Sequence, residues 1–431
     1  MTERLLNILK NTKDISGWLV KDETVETCEL FFIRKALDMN RRKDVRHVNA
    51  TVYRDFEEEG VQYKGSASAD LSPSMTDVEL ERKIADAAQA AAFVKNPAYA
   101  LAQPTDEKLK EIKNAFVGDD LFAYLPKLVD AVYATDHLEQ ARINSCEFFL
   151  RKVDTRIISS LGVDESYTSY RGQVELVVEA KTDGEEVELF DIINFSDFDP
   201  DKLRQDIAES LEHVSQRAAA APLPAVKDIP VILRRENVGK LFGYYVDQTN
   251  VSLVYQKYSS AKAGESIQGS VTGDPLTLSL LPELKNSIAS RYIDADGVKL
   301  CETQVIKDGV VQTLHGSNRY SQYLGIAPTG NIGNVRVEGG SQTLSELKSE
   351  PHLEIFYFSD FQMDEITGDF GGEIRLGIYF DGEKEIPVCG GSVNGNIKDV
   401  QAGLHLSREM QTMGNYCCPQ AVKLYGVSIS S

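Results

Sequence analysis

The side chains able to do chemistry in this chain are few and scattered. The six histidines (His47, His137, His213, His315, His352, His405) include no i,i+4 pair, so a zinc helix of the HExxH type is absent. The six cysteines (Cys28, Cys146, Cys301, Cys389, Cys417, Cys418) include no CxxC pair, the pattern of reduced cytoplasmic thiols. The adjacent Cys417 and Cys418 read as two ordinary thiols on a strand rather than a redox pair. Cys389 with His405, or Cys301 with His315, would make a nucleophile–base dyad only if folding brought each pair together. Carboxylates are too numerous for one pair to stand out as acid and base. Three loops rich in Gly and Asn remain, at 328–334, 367–372 and 390–396. Such loops can offer backbone N–H groups and amides to a peptide or an anion, although plain turns need the same residues. The first lacks the strand-to-helix setting and the Lys-Ser/Thr ending of a phosphate loop. Three such loops in one region suggest a surface for extended peptide.

The elements that must position these loops follow from pattern. A chain of 431 residues allows two or three domains and a large core. The small-residue and proline stretch 218–226 divides it. A mixed α/β N-terminal domain (1–220) precedes a β-dominated C-terminal domain (225–431) that carries the loops, an α+β class overall. In the first half a helix is expected from 76 to about 95, with Leu80, Ile84, Ala87, Ala88 and Ala91 on one face. Another begins at Asp199-Pro200, with the stripe Leu203, Ile207, Leu211 and Val214. Strands are expected at 28–33, 45–53 and 173–180, the last turning at Asp183-Gly184 into 187–190. In the second half a strand at 229–233 leads to a helix at 236–248, where Val238, Leu241, Phe242, Tyr245 and Val246 share a face. Hairpins are expected to turn at Asp308-Gly309 and Asp381-Gly382.

Charge and hydropathy exclude several classes. Lys and Arg number 46 against 66 Asp and Glu, a net charge of −20. Residues 1–224 hold 28 basic and 42 acidic groups, net −14; residues 225–431 hold 18 and 24, net −6. This argues against a general nucleic-acid binder, whose affinity comes from clustered cations. The densest basic run, Arg41-Arg42-Lys43 with Arg46, precedes Asp55, Glu57, Glu58 and Glu59 and reads as a solvated hairpin end. No apolar run nears the roughly 20 residues that span a bilayer. The first residues lack an apolar stretch of the signal-peptide kind, so neither a membrane nor an exported protein is expected.

At the loops the sequence resembles a family. The run Val305-Ile-Lys-Asp-Gly-Val-Val-Gln-Thr-Leu-His-Gly-Ser-Asn-Arg-Tyr-Ser-Gln-Tyr-Leu-Gly325, then Thr329-Gly-Asn-Ile-Gly-Asn334, is similar to the TldD/PmbA family. So are Thr367-Gly-Asp-Phe370 before a glycine-rich strand, the Gly-Glu-x-x-x-Pro-Val turn from Gly382 to Val388, and Val393-Asn-Gly-Asn-Ile397. The similarity is densest over 229–430. It implies one of two branches. The TldD-like branch is a zinc peptidase with a HExxxH helix and a distal Cys in a CGKxGQ-like segment. The TldE or PmbA branch lacks the ligands, pairs with the first to trim unfolded peptides, and carries the older name of a DNA gyrase modulator.

The resemblance places the motif's His, Glu and His at Gly243, Tyr244 and Gln248. Glycine has no ligand atom, tyrosine does not replace the carboxylate that activates zinc-bound water, and glutamine is a poor zinc ligand. Residues 410–424 contain no CGKxGQ, and no histidine lies between His213 and His315. The resemblance therefore implies a non-catalytic cytoplasmic subunit with no catalytic residue, metal ligand or cofactor of its own. Zinc is expected in a TldD-like partner, with a heterodimer formed on that partner or a homodimer when alone. Extended or unfolded peptide is the expected substrate. Its contacts, or the partner's, are expected at Asn331, Gly333, Asn334, Thr367, Gly368, Asp369 and Phe370. A hydrolase using a non-zinc nucleophile and a gyrase regulator acting without proteolysis are the alternatives.

Overall fold

Long alternating strands organise the first half. The computed structural model describes residues 1–116, 120–181 and 186–431. In it β1 (Gly17–Ile33), β2 (Ala36–Glu58), β3 (Val61–Leu71), β4 (Ala141–Ser159), β5 (Asp164–Lys181) and β6 (Glu186–Phe195) form one antiparallel sheet in the order β3-β2-β1-β4-β5-β6. The four expected strands fall within β1, β2, β5 and β6. They are longer than the local pattern suggests because pairing with neighbours carries polar stretches along. The turn expected at Asp183-Gly184 lies outside the described residues.

Four helices accompany this sheet: α1 (Thr2–Asn11), α2 (Asp77–Ala91), α3 (Leu125–Tyr133) and α4 (Pro200–Ala218). α2 starts with a reciprocal capping box between Thr76 and Glu79, and α4 with Asp199 as cap and Pro200 in its first turn. Both expected apolar stripes are the buried faces. α2 stops at Ala91 instead of reaching Lys95. Phe93 and Val94 donate to the carbonyls three residues back, which tightens the chain into a turn. Gly65 on β3 sits beneath that end, where a Cβ would lie 1.8 Å from the Ala91 carbonyl oxygen. The helix closes onto the sheet only because this residue has no side chain.

The basic run corrects one expectation. Arg41, Arg42 and Lys43 lie within β2 rather than at a free hairpin end, and they face acids on β1. Arg41 and Lys43 both bind Glu29, which is only 3% exposed. Arg46 binds Asp22 at 2.6 and 2.8 Å, and Thr2 adds a 2.6 Å bond to the same carboxylate. Burial alone would raise the Asp22 carboxyl, but these hydrogen bonds and the Arg46 charge hold it below its ordinary value.

The second half holds two further sheets and α5 (Glu236–Gln248), which matches the expected helix. One sheet runs in the order Val310–Val311, Thr303–Lys307, Leu278–Leu281, Asn334–Val337, Tyr416–Pro419, Met410–Met413. The backbone of the other runs His405–Leu406, Ala421–Leu424, Val231–Arg234, His352–Phe358, Asp369–Phe380, Glu385–Cys389, Ala221–Pro222. Both expected hairpins are present, turning at Asp308-Gly309 and across Asp381-Gly382. The fold is α+β and rich in strand. No helix among the described residues is long and apolar enough to cross a membrane.

One seam joins the two halves. Phe356, Tyr357, Leu376 and Ile378 pack into the same apolar cluster as Leu203, Ile207 and Leu211 of α4. At its edge the guanidinium of Arg235 grips Asp191 of β6 through Nη2, at 3.0 and 2.8 Å. Tyr357 and Ser210 donate to the same carboxylate at 2.9 and 2.7 Å, and the Arg235 guanidinium stacks 4.6 Å from the Tyr357 ring centroid. Burial and the Arg235 charge push the neighbouring His213 down to about 3, so it stays neutral. Asp191→Ala would leave the buried Arg235 with only its 3.4 Å contacts to Glu209 and Glu236, and a loss of about 2–4 kcal/mol is expected, read as a lower urea midpoint with an unchanged slope.

Candidate functional site

α5 is set by its sequence to be buried on nearly every side. Val238, Leu241, Phe242 and Tyr245 are wholly buried, with Val246 partly so, as the stripe predicts. What remains is the line Gly239, Gly243, Asp247, four residues apart and therefore on one helix face. Tyr416 lies against that face. A Cβ at Gly239 would meet its ring at 3.0–3.1 Å, and one at Gly243 would meet only its hydroxyl, at 3.5 Å. The two glycines thus make room for a tyrosine from a distant strand.

The motif positions are occupied by structure rather than by ligands. Tyr244 is 4% exposed, and its ring packs edge-on to Tyr245 at 5.3 Å. Gln248 is buried, and its Nε2 donates to the Glu365 carbonyl at 2.6 Å. Gly243 carries nothing and lies beneath the Tyr416 hydroxyl. Gly243, Tyr244 and Gln248 thus present no imidazole, thiolate or carboxylate. Among the described residues no three His, Cys, Asp or Glu side chains are grouped to hold a metal.

The structure brings the 367–370 loop to this helix. Gly368 has φ +86°, and a Cβ there would sit 2.9 Å from Ile397 and 3.4 Å from the Tyr244 ring. Thr367 and Asp369 bond each other at 2.9 Å, and Asn396 from the third Gly/Asn loop donates to Asp369 at 2.7 Å and to the Thr367 carbonyl at 3.2 Å. Asp364 closes the turn by accepting from the Ile366 and Thr367 amides. Thr367 and Asp369 stay exposed at its surface. Phe370 does not: it is buried against Phe361 and lies over Gly395, so it serves the core and is corrected as a contact residue.

The 331–334 loop divides likewise. Asn331 is exposed, with its backbone and side-chain nitrogens on Asp294 at 2.9 and 3.3 Å. The Gly333 carbonyl accepts from Asn415 at 2.6 Å. Asn334 is 0% exposed, accepting from Ser287 at 2.6 Å and donating to the Leu281 carbonyl at 3.1 Å. That amide pins strands together and cannot reach a peptide. Ile332 within the loop joins the apolar cluster that also holds Val238, Leu241 and Phe242 of α5. The loop leads into the strand Asn334–Val337, where Val335 pairs with Tyr416.

Neither cysteine dyad forms. Cys389 and His405 lie on strands separated by four others in one sheet, about 24 Å at ordinary strand spacing. His315 is buried, with Nε2 2.8 Å from the Val246 carbonyl, whereas Cys301 is exposed at a cavity that no histidine lines.

Two residues that sequence reasoning missed complete the site. Tyr416 had no local signal, because its role is set by strand pairing. Asp247 could have been found four residues after Gly243. It is half-buried and has no hydrogen-bond or ion-pair partner among the described residues; burial and Glu365 push its carboxyl up to about 6. The edge strand Met410–Met413, paired on one side only, borders a cavity of about 570 Å³ shared with β6, α4 and Arg235. That is an open edge of the kind an extended chain can join.

Residues 226–431 match the PmbA/TldA metallopeptidase C-terminal domain, the family that the loops resemble. A curated relative, the metalloprotease PmbA of Escherichia coli O157:H7, is 26% identical over 195 residues, 44% of this chain and 43% of that protein. The alignment thus spans less than half of that relative. Over nearly the whole chain the fold is that of TldE from Thermococcus kodakarensis, with a TM-score of 0.80 at 15% identity, covering 99% of this chain and 100% of that one. A Thermotoga maritima protein named as a modulator of a DNA gyrase superposes with a TM-score of 0.79 at 15% identity, covering 100% and 99%.

Because burial and Glu365 push the folded Asp247 carboxyl up from 3.8 to about 6, its penalty is absent below about pH 4, builds between about pH 4 and 6 and is complete above that. Asp247→Asn is expected to stabilise the protein at pH 7.5 by about 1 kcal/mol, the full shift being discounted for partial solvent access, and by nothing at pH 4. Paired urea titrations at the two pH values check this.

Proposed function

We infer that this chain is a non-catalytic subunit of a TldD/TldE-type metallopeptidase complex that processes unfolded peptides. The observation carrying this reading is the donor set of α5. The helix that would hold the metal presents glycine, a buried tyrosine and a glutamine committed to a backbone carbonyl. The overall likeness to a protein named TldE supports the same branch. Zinc and water activation then belong to a TldD-like partner subunit, and no step of hydrolysis is assigned to residues of this chain.

What this chain contributes is shape and backbone. The edge strand Met410–Met413 receives a peptide by main-chain pairing, which is indifferent to side-chain identity and suits varied unfolded substrates. The exposed Thr367, Asp369 and Asn331 supply contacts to peptide or partner, whereas Gly368, expected as a contact, is buried against Ile397 and Tyr244 and serves the turn. Six unpaired thiols accord with a cytoplasmic setting. In the absence of the partner the chain pairs with itself.

The test is metal content and cleavage of an unfolded peptide, with and without a TldD-like subunit. Far less than one zinc per chain, and activity only in the mixture, is the expected result. Chelator-sensitive cleavage by the isolated chain, with stoichiometric zinc, would sink the reading.

A further inference from the structure

A second concave site lies on the opposite face of the sheet from α5. Val335 and Tyr416 are register partners whose side chains pack on the α5 side. Arg336 and Cys417, the next pair, must therefore point away from α5. On that outer face the coil 107–114 from the first half crosses the second half and encloses a cavity of about 590 Å³. The coil is anchored there by an ion pair between Glu107 and Lys299, by Lys110 over the Tyr292 ring at 5.8 Å, and by the Ala115 amide on Asp197 at 2.5 Å.

The charges lining this cavity are unbalanced by partnership. Each acid is engaged: Glu107 with Lys299, Glu283 with the Tyr292 hydroxyl, Glu302 with Arg336 at 3.9 Å, and Asp197 with two backbone amides. Lys108, Lys110, Lys113 and Lys285 have no carboxylate partner among the described residues. Four lysines without a carboxylate partner among the described residues, Lys110 of them lying over the Tyr292 ring, thus line one hollow of a protein whose net charge is −20. Between them lie apolar groups, Ile112, Leu281, Leu284 and Leu300. Among the described residues lining the cavity there is no glycine and no helix N-terminus, the usual devices for a compact phosphate. Ammonium groups on flexible stems above an apolar floor suit carboxylates spread along a chain, with aliphatic side chains between them.

We propose that this cavity binds an acidic, aliphatic peptide segment, its carboxylates on Lys108, Lys110, Lys113 and Lys285 and its apolar side chains on the floor. The site is independent of the partner-subunit reading. Cys301, exposed at the cavity wall, is a built-in reporter.

The experiment uses the full chain and a fluorescein-labelled short peptide alternating Glu and Leu. Its Lys/Leu counterpart and inorganic pyrophosphate serve as competing probes. Saturable anisotropy is expected for the Glu/Leu peptide alone, weakening as salt rises from about 0.05 to about 0.5 M. Lys110→Gln, Lys113→Gln and Lys285→Gln combined should weaken it about tenfold or more, since all three are exposed and each removes one charge contact. The peptide should also slow alkylation of Cys301 in the parent chain and not in the variant. Equal affinity for both peptides, or unchanged binding by the folded variant, would overturn the proposal. So would pyrophosphate binding without peptide binding, which would assign the cavity to phosphates.

Discussion

The buried pair between Arg235 and Asp191 is the constraint on which the rest of the arrangement hangs. Arg235 is the residue immediately before α5, and Asp191 belongs to the last strand of the first sheet. Its backbone sits at φ +58°, a conformation that side-chain-bearing residues adopt at a cost of about 1–3 kcal/mol. The bidentate contact, the Tyr357 ring and the hydroxyls of Tyr357 and Ser210 hold it there. One arginine therefore sets both how α5 begins and how the two halves meet. The desolvation of such a pair is tolerable because every oxygen of Asp191 has a donor.

From that fixed start, α5 runs as a helix committed to packing. Burying almost all of it demands apolar residues at most positions. The two glycines leave a trough, and Tyr416 fills it. Tyr244 and Gln248 are tied inward to Tyr245 and to the 364–370 turn. The helix is a packing element that shapes a surface, and Asp247 is a half-buried carboxylate on it without a hydrogen-bond or ion-pair partner among the described residues. Such an unmatched carboxylate is a departure from local consistency of the kind that accompanies function rather than stability.

The sheet that carries Tyr416 has two faces with different chemistry. Its inner face is aliphatic and aromatic and meets α5. Its outer face carries Arg336 and closes, with a coil from the first half, a hollow rimmed with lysine. Strand alternation makes this possible within single segments, since neighbouring residues must diverge. The acidic surplus of the whole chain conceals that local reversal of sign, because the lysines come from segments far apart in sequence.

Local chemistry was legible from residues alone. The helices starting at Thr76, Asp199 and Glu236 follow from cap and stripe, and the turns at Asp308-Gly309 and Asp381-Gly382 from their glycines. The missing donors at Gly243, Tyr244 and Gln248 follow from residue identity and a family resemblance. These are short-range properties, and short-range sterics decide them. Long-range pairing decided the rest. It buried Asn334 and Phe370, which the loops seemed to display, and it turned Arg41 and Lys43 into partners of Glu29. It set four strands between Cys389 and His405, laid Tyr416 over Gly239, and folded a lysine-bearing coil across the second half. No local pattern encodes those outcomes, because each depends on which distant strand a segment meets and which of its alternating faces is turned inward.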